Sequence, residues 1–247
     1  YNYLRDKNIV VPQRDTSTKG SKYEGAYVKE PQTGGHNWVM SFDLNSLYPH
    51  LIMQYNISPE TLISQRFPEA ISVDKLLNKE VQTEVLGDKL TVTPNAACFR
   101  KDIRGFLPDL METMYGDRVK FKKYSLDAKQ RYQDTKDKKY LNEISKYNNI
   151  QMARKIALNS AYGAVGNQYF RYYDERLATA ITTAGQLSIR WIENKVNEYL
   201  NRILQTEDQD YIIASDTDSI YVTFDQLVSK SFGDRGDVPT EKVVNFL

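Results

Sequence analysis

Two acidic side chains near the C-terminal end of the chain stand between two apolar stretches that have the composition of β-strands. Asp216 and Asp218 are two residues apart; residues 219–224 alternate between apolar and other side chains, and residues 211–214 are their predicted hairpin partner. Like charges this close repel each other and resist removal from water, so a hard divalent cation bound through oxygen atoms would stabilise them. The alternative is a solvated Asp-rich turn in which each side chain hydrogen-bonds its own backbone.

A second acid follows another strand-like stretch much earlier in the chain. Residues 38–42 predict a buried strand, and Asp43 comes directly after it, before a polar turn and a predicted helix. Catalysis with two metal ions needs carboxylates on rigid, adjacent strands, because the ions lie only about 3.5–4 Å apart. The repeated arrangement therefore favours a metal site over a solvated turn.

Apolar periodicity predicts the helices that must position this chemistry. Spacings of three and four predict one helix that begins near Pro108, a second over residues 147–165 and an amphipathic third over residues 186–204. The apolar face of the third helix is expected to contain Leu187, Ile192, Val196, Leu200 and Ile203. Residues 89–93 alternate as a strand does, so the chain mixes helices with strands.

Positive charge is concentrated in the region of the first two helices. Residues 118–155 carry twelve basic and four acidic side chains, although the formal net charge of the whole chain is only +1. Such a stretch favours phosphate binding, and the alternative is a solvated helical hairpin. Composition alone leaves both interpretations open.

Helical spacing places several of these polar side chains on common faces. Arg118 and Lys122 are four residues apart, and Lys155, Asn159 and Tyr162 lie at i, i+4 and i+7. Two antiparallel helices that present these faces to a cleft would surround a triphosphate with positive charge. For Lys155 or Asn159 alone, the alternative is the ordinary polarity of a helix surface.

Composition excludes several classes of protein. The chain has 247 residues of which 40% are hydrophobic, enough to bury the core of one large domain with a subdomain. The single cysteine, Cys98, excludes an internal disulfide framework, and His36 and His50 are isolated, so we expect structural or surface roles rather than a zinc site. The chain has neither a long apolar stretch nor a signal-peptide pattern, so we expect a soluble fragment of a longer protein, without membrane partners.

Three motifs, in order along the chain, carry a resemblance to a known enzyme family. Residues 43–49 are Asp-Leu-Asn-Ser-Leu-Tyr-Pro, residues 155–163 are Lys-Ile-Ala-Leu-Asn-Ser-Ala-Tyr-Gly, and residues 216–219 are Asp-Thr-Asp-Ser. They resemble motifs A, B and C of the family B DNA polymerases. The likeness is greatest to the replicative polymerases of T-even-type phages. It covers most of the chain through further segments, at 23–31, 56–60, 170–174, 178–183 and 191–200.

The resemblance implies an α+β fold. This fold has a polymerase palm, an antiparallel sheet backed by helices, and an inserted fingers subdomain that is an antiparallel helical hairpin. We expect the first part of the palm with motif A in residues 1–107, the fingers with motif B in residues 108–165, and the rest of the palm with motif C in residues 166–247. Thumb and exonuclease domains are expected to be absent from this chain.

The resemblance also implies the reaction and its metal ions. Asp43 and Asp218 are expected to bridge two Mg²⁺ ions, for which Mn²⁺ can substitute, with Asp216 as an auxiliary acid and the carbonyl of Leu44 as a further ligand. The expected reaction is nucleotidyl transfer from a deoxynucleoside triphosphate (dNTP) to a primer 3′-hydroxyl, directed by a template. Lys155 is expected to be catalytic as well, because it can protonate the leaving pyrophosphate.

Further residues match the family positions that bind the nucleotide and the DNA. The triphosphate is expected to be held by the backbone N–H groups of Ser46 and Leu47 and by the side chains of Arg118, Lys122, Lys155 and Asn159. Tyr48 is expected to exclude a ribose 2′-hydroxyl, although a role as a core aromatic is the alternative. The nascent base pair or template is expected to contact Tyr162, Gly163, Arg171, Tyr172 and Tyr173.

The sequence departs from the family pattern at a few positions. Ser215 stands where the family commonly has Gly, Ala214 where it has Tyr, and His50 where a small Ser is usual. None of these departures removes a proposed metal ligand. The first two alter the predicted acidic hairpin and affect the expected placement of the primer.

Three functions are compatible with these residues. Template-directed DNA synthesis is the first, with primer-template DNA and dNTPs as partners, a sliding clamp or other replisome proteins bound through regions outside this chain, and a cytoplasmic location, in the host cell if the protein is phage-encoded. The second is a nucleotidyl cyclase-like palm enzyme, against which motif B argues. The third is a non-catalytic fragment that binds primer-template DNA or a replication partner, and this chain is in any case expected to be of doubtful activity alone.

Overall fold

The computed structural model describes residues 2–10, 24–63, 67, 70–82, 84–233 and 239–247, which form two compact units. One unit contains Tyr1–Gly25 and Ser46–Ala184, and the other contains Ala26–Asn45 and Gly185–Leu247. The strands are β1 (Val28–Lys29), β2 (Val39–Asp43), β3 (Leu90–Val92), β4 (Cys98–Arg100), β5 (Ile212–Asp216) and β6 (Ser219–Thr223). The α-helices are α1 (Asn2–Asp6), α2 (Leu47–Tyr55), α3 (Val73–Leu77), α4 (Phe106–Thr135), α5 (Lys139–Val165), α6 (Glu175–Leu204), α7 (Asp225–Phe232) and α8 (Thr240–Phe246), and Glu84–Lys89 forms a short 3₁₀ segment.

The second unit is built on an antiparallel sheet of four strands in the order β1-β5-β6-β2. Strands β5 and β6 form the predicted hairpin, and Ile220 and Val222 point into the core while Tyr221 is exposed. The prediction of a buried strand at residues 38–42 is wrong, because β2 lies at the edge of this sheet and pairs only with β6 among the described strands. Phe42, for example, is 46% exposed.

The C-terminal half of α6 provides the apolar layer of the same unit. Its buried residues Ile189, Leu200 and Leu204 pack with the core side chains of β5 and β6. The predicted inclusion of Ile203 in this face is wrong, because Ile203 is 41% exposed and Leu204 takes the place four residues after Leu200. The buried residue that follows Leu200 is therefore at i+4, whereas the prediction placed it at i+3.

The first unit contains the long antiparallel hairpin of α4 and α5, and its core is shared with α2 and the N-terminal half of α6. Lys136, with φ at 56°, ends α4 in the left-handed conformation and allows the chain to reverse. The hairpin occupies almost the whole of the predicted fingers range, 108–165. Where the palm and fingers divide remains a prediction.

Helix starts were predicted less well than helix faces. Helix α4 begins at Phe106 and holds Pro108 in its first turn, where the missing N–H group is not needed. Helix α6 begins eleven residues before the predicted start, and Asp174 caps it by accepting a hydrogen bond from the Arg176 N–H at 2.9 Å. The strand predicted at residues 89–93 is confirmed by β3, which pairs with β4.

The remaining predicted structural residues have local partners. Cys98 is buried and free of disulfide bonds. The Nδ1 atom of His50 lies 2.9 Å from the carbonyl oxygen of Ser46, and its ring packs edge-on against Tyr115. Within the described ranges, no helix has the length and apolar character needed to cross a membrane.

Candidate active site

The predicted acidic turn is a hairpin of the tightest kind. Asp216, the last residue of β5, is paired with Ser219, the first of β6, so Thr217 and Asp218 alone connect the strands. Thr217 adopts the left-handed conformation with φ at 57°, and its N–H donates to the carbonyl of Tyr27 at 3.0 Å. The N–H of Asp218 donates to the carbonyl of Asp216 at 2.6 Å. Backbone hydrogen bonds therefore fix the backbone positions from which the two carboxylate side chains extend.

Strand β2 brings the third acid to the same end of the sheet. Asp43 is the register partner of Ser219, whose hydroxyl donates to Asp43 Oδ1 at 3.1 Å. Immediately after the strand, the N–H of Leu44 donates to the carbonyl of Asp218 at 2.7 Å. The structure thus places Asp43 and Leu44 beside the Asp218 turn, as the motif comparison predicted.

The three carboxylates share one electrostatic environment. Partial burial raises the pKa of Asp218, and the negative charges of Asp43 and, to a smaller extent, Asp216 raise it further. Asp43 and Asp216 are themselves exposed. The site therefore concentrates negative charge at a half-buried carboxylate, which a bound cation would relieve.

The donor set fits a Mg²⁺ ion that keeps other ligands. No group of three or more His, Cys, Asp or Glu side chains in the described part of the chain is arranged to hold a metal by itself. Mg²⁺ is usually bound by one or two carboxylates together with water and substrate phosphates. Asp43, Asp218 and the carbonyl of Leu44 offer hard oxygen atoms of this kind. One oxygen of Asp43 and one of Asp216 each accept a hydrogen bond, from Ser219 Oγ at 3.1 Å and from Thr217 Oγ1 at 2.8 Å.

A separate set of predicted residues surrounds the start of α2 in the first unit. Ser46 precedes the helix in the left-handed conformation with φ at 57°, and Leu47 is its first residue. Arg118 Nη1 donates to Ser46 Oγ at 2.9 Å, so α4 is linked to this helix start. The Ser46 hydroxyl is therefore a contact that orients Arg118.

Helix α5 presents a polar face with an aromatic residue at its end. Lys155 and Asn159 are exposed, and Leu158 between them is fully buried, which fixes the orientation of the helix. The ring of Tyr162 lies 4.6 Å from the ring of Tyr48, centre to centre, at an angle of 50°. Tyr48 is half-buried, so it packs against the core and keeps an exposed edge.

The other predicted residues of this unit divide into exposed and buried groups. Lys122, Gly163 and Arg171 are exposed, and Tyr173 is half-buried. Tyr172 is only 8% exposed and packs against Phe106, with ring centres 4.9 Å apart. This core position contradicts the predicted template contact of Tyr172, because nucleic acid cannot reach the ring.

Sequence reasoning missed three features near these residues. Ser219 lies within motif C, so its contact with Asp43 could have been anticipated from the motif. Asp117 and Arg154 form an ion pair between α4 and α5, with Nη2 and Oδ2 3.1 Å apart, but neither residue has a periodic signal in the sequence. Glu193 is a buried acid on α6, hidden in a segment predicted to be simply amphipathic.

Comparison with known proteins identifies the family. The model of DNA polymerase family B matches residues 2–245. This chain belongs to DNA polymerase family B. The DNA-directed DNA polymerases of Escherichia phage RB69 and Enterobacteria phage T4 are each 36% identical to it, over 100% and 95% of the chain. DNA polymerase 1 of Pyrococcus abyssi is 32% identical over 81% of the chain.

The family B relationship extends to solved structures. The family B DNA polymerase of the hyperthermophilic archaeon Pyrobaculum calidifontis matches 96% of the chain with a TM-score of 0.58 and 26% sequence identity, and the match covers 27% of that protein. The α+β fold expected of a family B polymerase fragment is therefore confirmed. The chain covers less than a third of each of the two phage relatives, 31% and 30% of their lengths.

Proposed function

We propose that the polymerase containing this chain carries out template-directed DNA synthesis by two-metal-ion catalysis. The observation that carries the proposal is the position of Asp43 beside the Asp218 turn, held by the β2–β6 ladder and by the Leu44 backbone bond. The phage relatives with the same motifs are named DNA-directed DNA polymerases. The substrates of the proposed reaction are primer-template DNA and dNTPs.

The carboxylates hold the metal ions of the proposed reaction. Asp43 and Asp218 would bind two Mg²⁺ ions, or Mn²⁺ in their place, with the Leu44 carbonyl as a further ligand and Asp216 as an auxiliary charge. When bound, these ions activate the primer hydroxyl and neutralise the triphosphate and pyrophosphate. The hydrogen bond from Ser219 to Asp43 holds that carboxylate in one orientation.

The helical faces of the first unit bind the triphosphate of the incoming nucleotide. The N–H groups of Ser46 and Leu47 donate to phosphate oxygens at the positive end of α2. Arg118, already oriented by the Ser46 hydroxyl, offers paired donors to an outer phosphate.

The exposed side chains of α4 and α5 complete the proposed phosphate site. Lys122 and Lys155 act as compact charges, and Asn159 adds an amide donor. Lys155 also gives a proton to the pyrophosphate oxygen that leaves. All three side chains are exposed, as a substrate-binding role requires.

The aromatic pair selects the sugar and supports the base pair. The ring of Tyr48 excludes a ribose 2′-hydroxyl, and the ring of Tyr162 supports it from one side. Tyr162 and Gly163 contact the nascent base pair, while Arg171 and Tyr173 contact the template. A polymerase must accept four bases, so these contacts read shape and position rather than base identity.

Primer extension by the full-length polymerase tests the proposal. Asp43→Asn and Asp218→Asn are each expected to reduce kcat by at least about a thousandfold with Mg²⁺, because each removes a charge that holds the metal ions. Ser41→Ala on the exposed part of β2 is the matched control and should extend primers normally. Near-normal extension by either Asn variant would remove the metal assignment, and a template-independent cyclic product would indicate a cyclase instead.

A further inference from the structure

Glu193 stands in the middle of an apolar helix face. On α6 it is four residues after Ile189 and three before Val196, and the next buried position is Leu200. This face packs on strands β5 and β6, and Glu193 itself is only 6% exposed. Burying a carboxylate costs free energy that an apolar side chain at the same position would not cost. Packing alone therefore does not account for an acid here.

The carboxylate of Glu193 has two hydroxyl neighbours, Tyr27 and Ser215, and one of its oxygen atoms is left without a partner. Glu193 Oε1 and Ser215 Oγ are both buried and have no hydrogen-bond partner among the residues described. Burial raises the pKa of Glu193, and the nearby Ser215 hydroxyl counteracts part of this effect. Both groups lie where α6 packs on β5, and each has one buried polar atom without a partner. A hydrogen bond between the two groups would satisfy both atoms.

The other charged groups around Glu193 are engaged elsewhere. Lys29 on β1 forms an ion pair with Asp210, with Nζ and Oδ2 2.6 Å apart. The guanidinium of Arg190 lies over the ring of Tyr27, 5.6 Å from its centre. The Tyr27 hydroxyl also hydrogen-bonds the Glu193 carboxylate. Ser215 is the neighbour whose unmatched hydroxyl complements the carboxylate oxygen that remains unmatched.

Ser215 connects this buried acid to the proposed metal site. It is the residue directly before Asp216 on β5, and its register partners are Lys29 on β1 and Ile220 on β6. With strands on both sides, a displacement of Ser215 moves the whole hairpin. Whatever holds Ser215 against α6 therefore sets the position of the acidic turn.

We propose that Glu193 is a positioning residue that acts through Ser215 on the acidic hairpin of the polymerase. The inference rests on the proposed function, because the hairpin is assigned there to metal binding. Carboxylates that bind catalytic metals must be held within about 0.5 Å of their working positions. Removing a group that orients a metal ligand typically lowers metal affinity or activity by about 10- to 100-fold.

Glu193→Leu in the full-length polymerase separates positioning from stability. Leucine restores the apolar face, so the Tm should stay the same or rise. Yet kcat for primer extension should fall by about tenfold or more and the Mg²⁺ concentration for half-maximal activity should increase, while KM for dNTP stays within about twofold. The matched control is Glu198→Leu, an exposed acid on the same helix, which should change neither kcat nor the Mg²⁺ dependence.

A coupled pair of variants tests the route through Ser215. Ser215→Ala should reproduce the loss in kcat, and the double variant Glu193→Leu/Ser215→Ala should lose no more than either single variant. Additive losses, or wild-type kcat and Mg²⁺ dependence in Glu193→Leu, would overturn the inference. If Glu193→Leu lowers the Tm, kcat and the Mg²⁺ dependence of Glu193→Gln test the inference instead, because glutamine keeps the shape of the side chain. Wild-type values in that variant would overturn the inference.

Wild-type enzyme and Asp218→Asn in the same series separate the two proposals. If the wild type fails to extend primers, or Asp218→Asn extends them normally, the proposed function fails. If both behave as proposed and Glu193→Leu matches the wild type, only the positioning role fails.

Discussion

At the scale of single residues, the site depends on carboxylates whose charges affect one another. Asp218 is half-buried at the turn, and its pKa is raised by burial and by the charges of Asp43 and Asp216. A raised pKa means that the acid holds its proton to a higher pH than a free aspartic acid does. Since a metal ion needs the ionised form, metal binding and activity should both increase as pH rises through the pKa of Asp218.

Asp216→Asn should move the acidic limb of the pH profile of kcat/KM to lower pH. The substitution removes one of the two charges that raise the pKa of Asp218, so the Asp218 carboxyl group ionises at a lower pH. The profile is measured by primer extension at saturating DNA and varied dNTP. Asp225, a half-buried acid in the first turn of α7, provides the control Asp225→Asn, and an unchanged limb in Asp216→Asn would contradict the electrostatic coupling.

Tyr48→Ala should relax discrimination against ribonucleotides by about tenfold or more. Loss of the ring removes the steric barrier to a 2′-hydroxyl, while the contacts to the triphosphate remain. The measurement is the ratio of kcat/KM values for a dNTP and the corresponding ribonucleotide. Tyr199→Ala, which truncates a tyrosine that is 54% exposed on α6, serves as the control, and an unchanged ratio in Tyr48→Ala would exclude the gate.

At the scale of elements, the α4–α5 hairpin combines a buried seam with exposed, charged outer faces. Leu158 on α5 is fully buried in the core of the first unit, whereas Ile156 on the same helix is 62% exposed. The Asp117–Arg154 ion pair adds a link between the helices, but both side chains are more than a third exposed, so its contribution to stability is small. Packing at the seam therefore determines the stability of the hairpin.

Leu158→Ala should destabilise the protein much more than Ile156→Ala. The first substitution leaves a cavity in the core and should cost about 2–5 kcal/mol, while the second removes a solvated side chain and should cost about 0.5 kcal/mol or less. Thermal denaturation followed by circular dichroism measures both variants against the wild type. Equal Tm values for the two variants would show that the seam of α5 does not pack as described.

At the scale of the whole molecule, two compact units contain different parts of the proposed chemistry. The carboxylates belong to the unit of Ala26–Asn45 and Gly185–Leu247, and the phosphate-binding faces belong to the unit of Tyr1–Gly25 and Ser46–Ala184. Helix α6 runs through both units. The chain spans less than a third of its phage relatives, 31% and 30% of their lengths.

The isolated 247-residue chain should extend a primer at least about a hundredfold more slowly than the full-length polymerase. A shorter DNA-binding surface holds the primer end less firmly. A reaction whose reactants are misplaced by about 1 Å can be slowed by about a hundredfold. Primer extension and fluorescence-anisotropy DNA binding are measured on both proteins, with Asp218→Asn as the inactive control. Equal extension rates would show that this chain alone contains everything that catalysis needs.

Local sequence patterns determined much of this protein because they act over short distances. The spacing of apolar residues predicted the helices, the Asp216–Asp218 pair predicted a tight turn, and the order of the three motifs predicted the family. Helix α6 began eleven residues early because a capping residue, Asp174, and not the apolar pattern, decides where it starts. Periodicity indicates which face is buried but carries little information about the ends.

The tertiary structure alone decided which distant residues meet. Ser219 and Asp43, whose side chains are hydrogen-bonded, are 176 residues apart in the chain, and no local pattern specifies that β2 pairs with β6 at the edge of the sheet. The same holds for Tyr172, which enters the core although its motif predicted an exposed role, and for Glu193, buried under the acidic hairpin. Strand pairing and burial depend on competition among all segments for the same core, so they are decided by the folded chain as a whole.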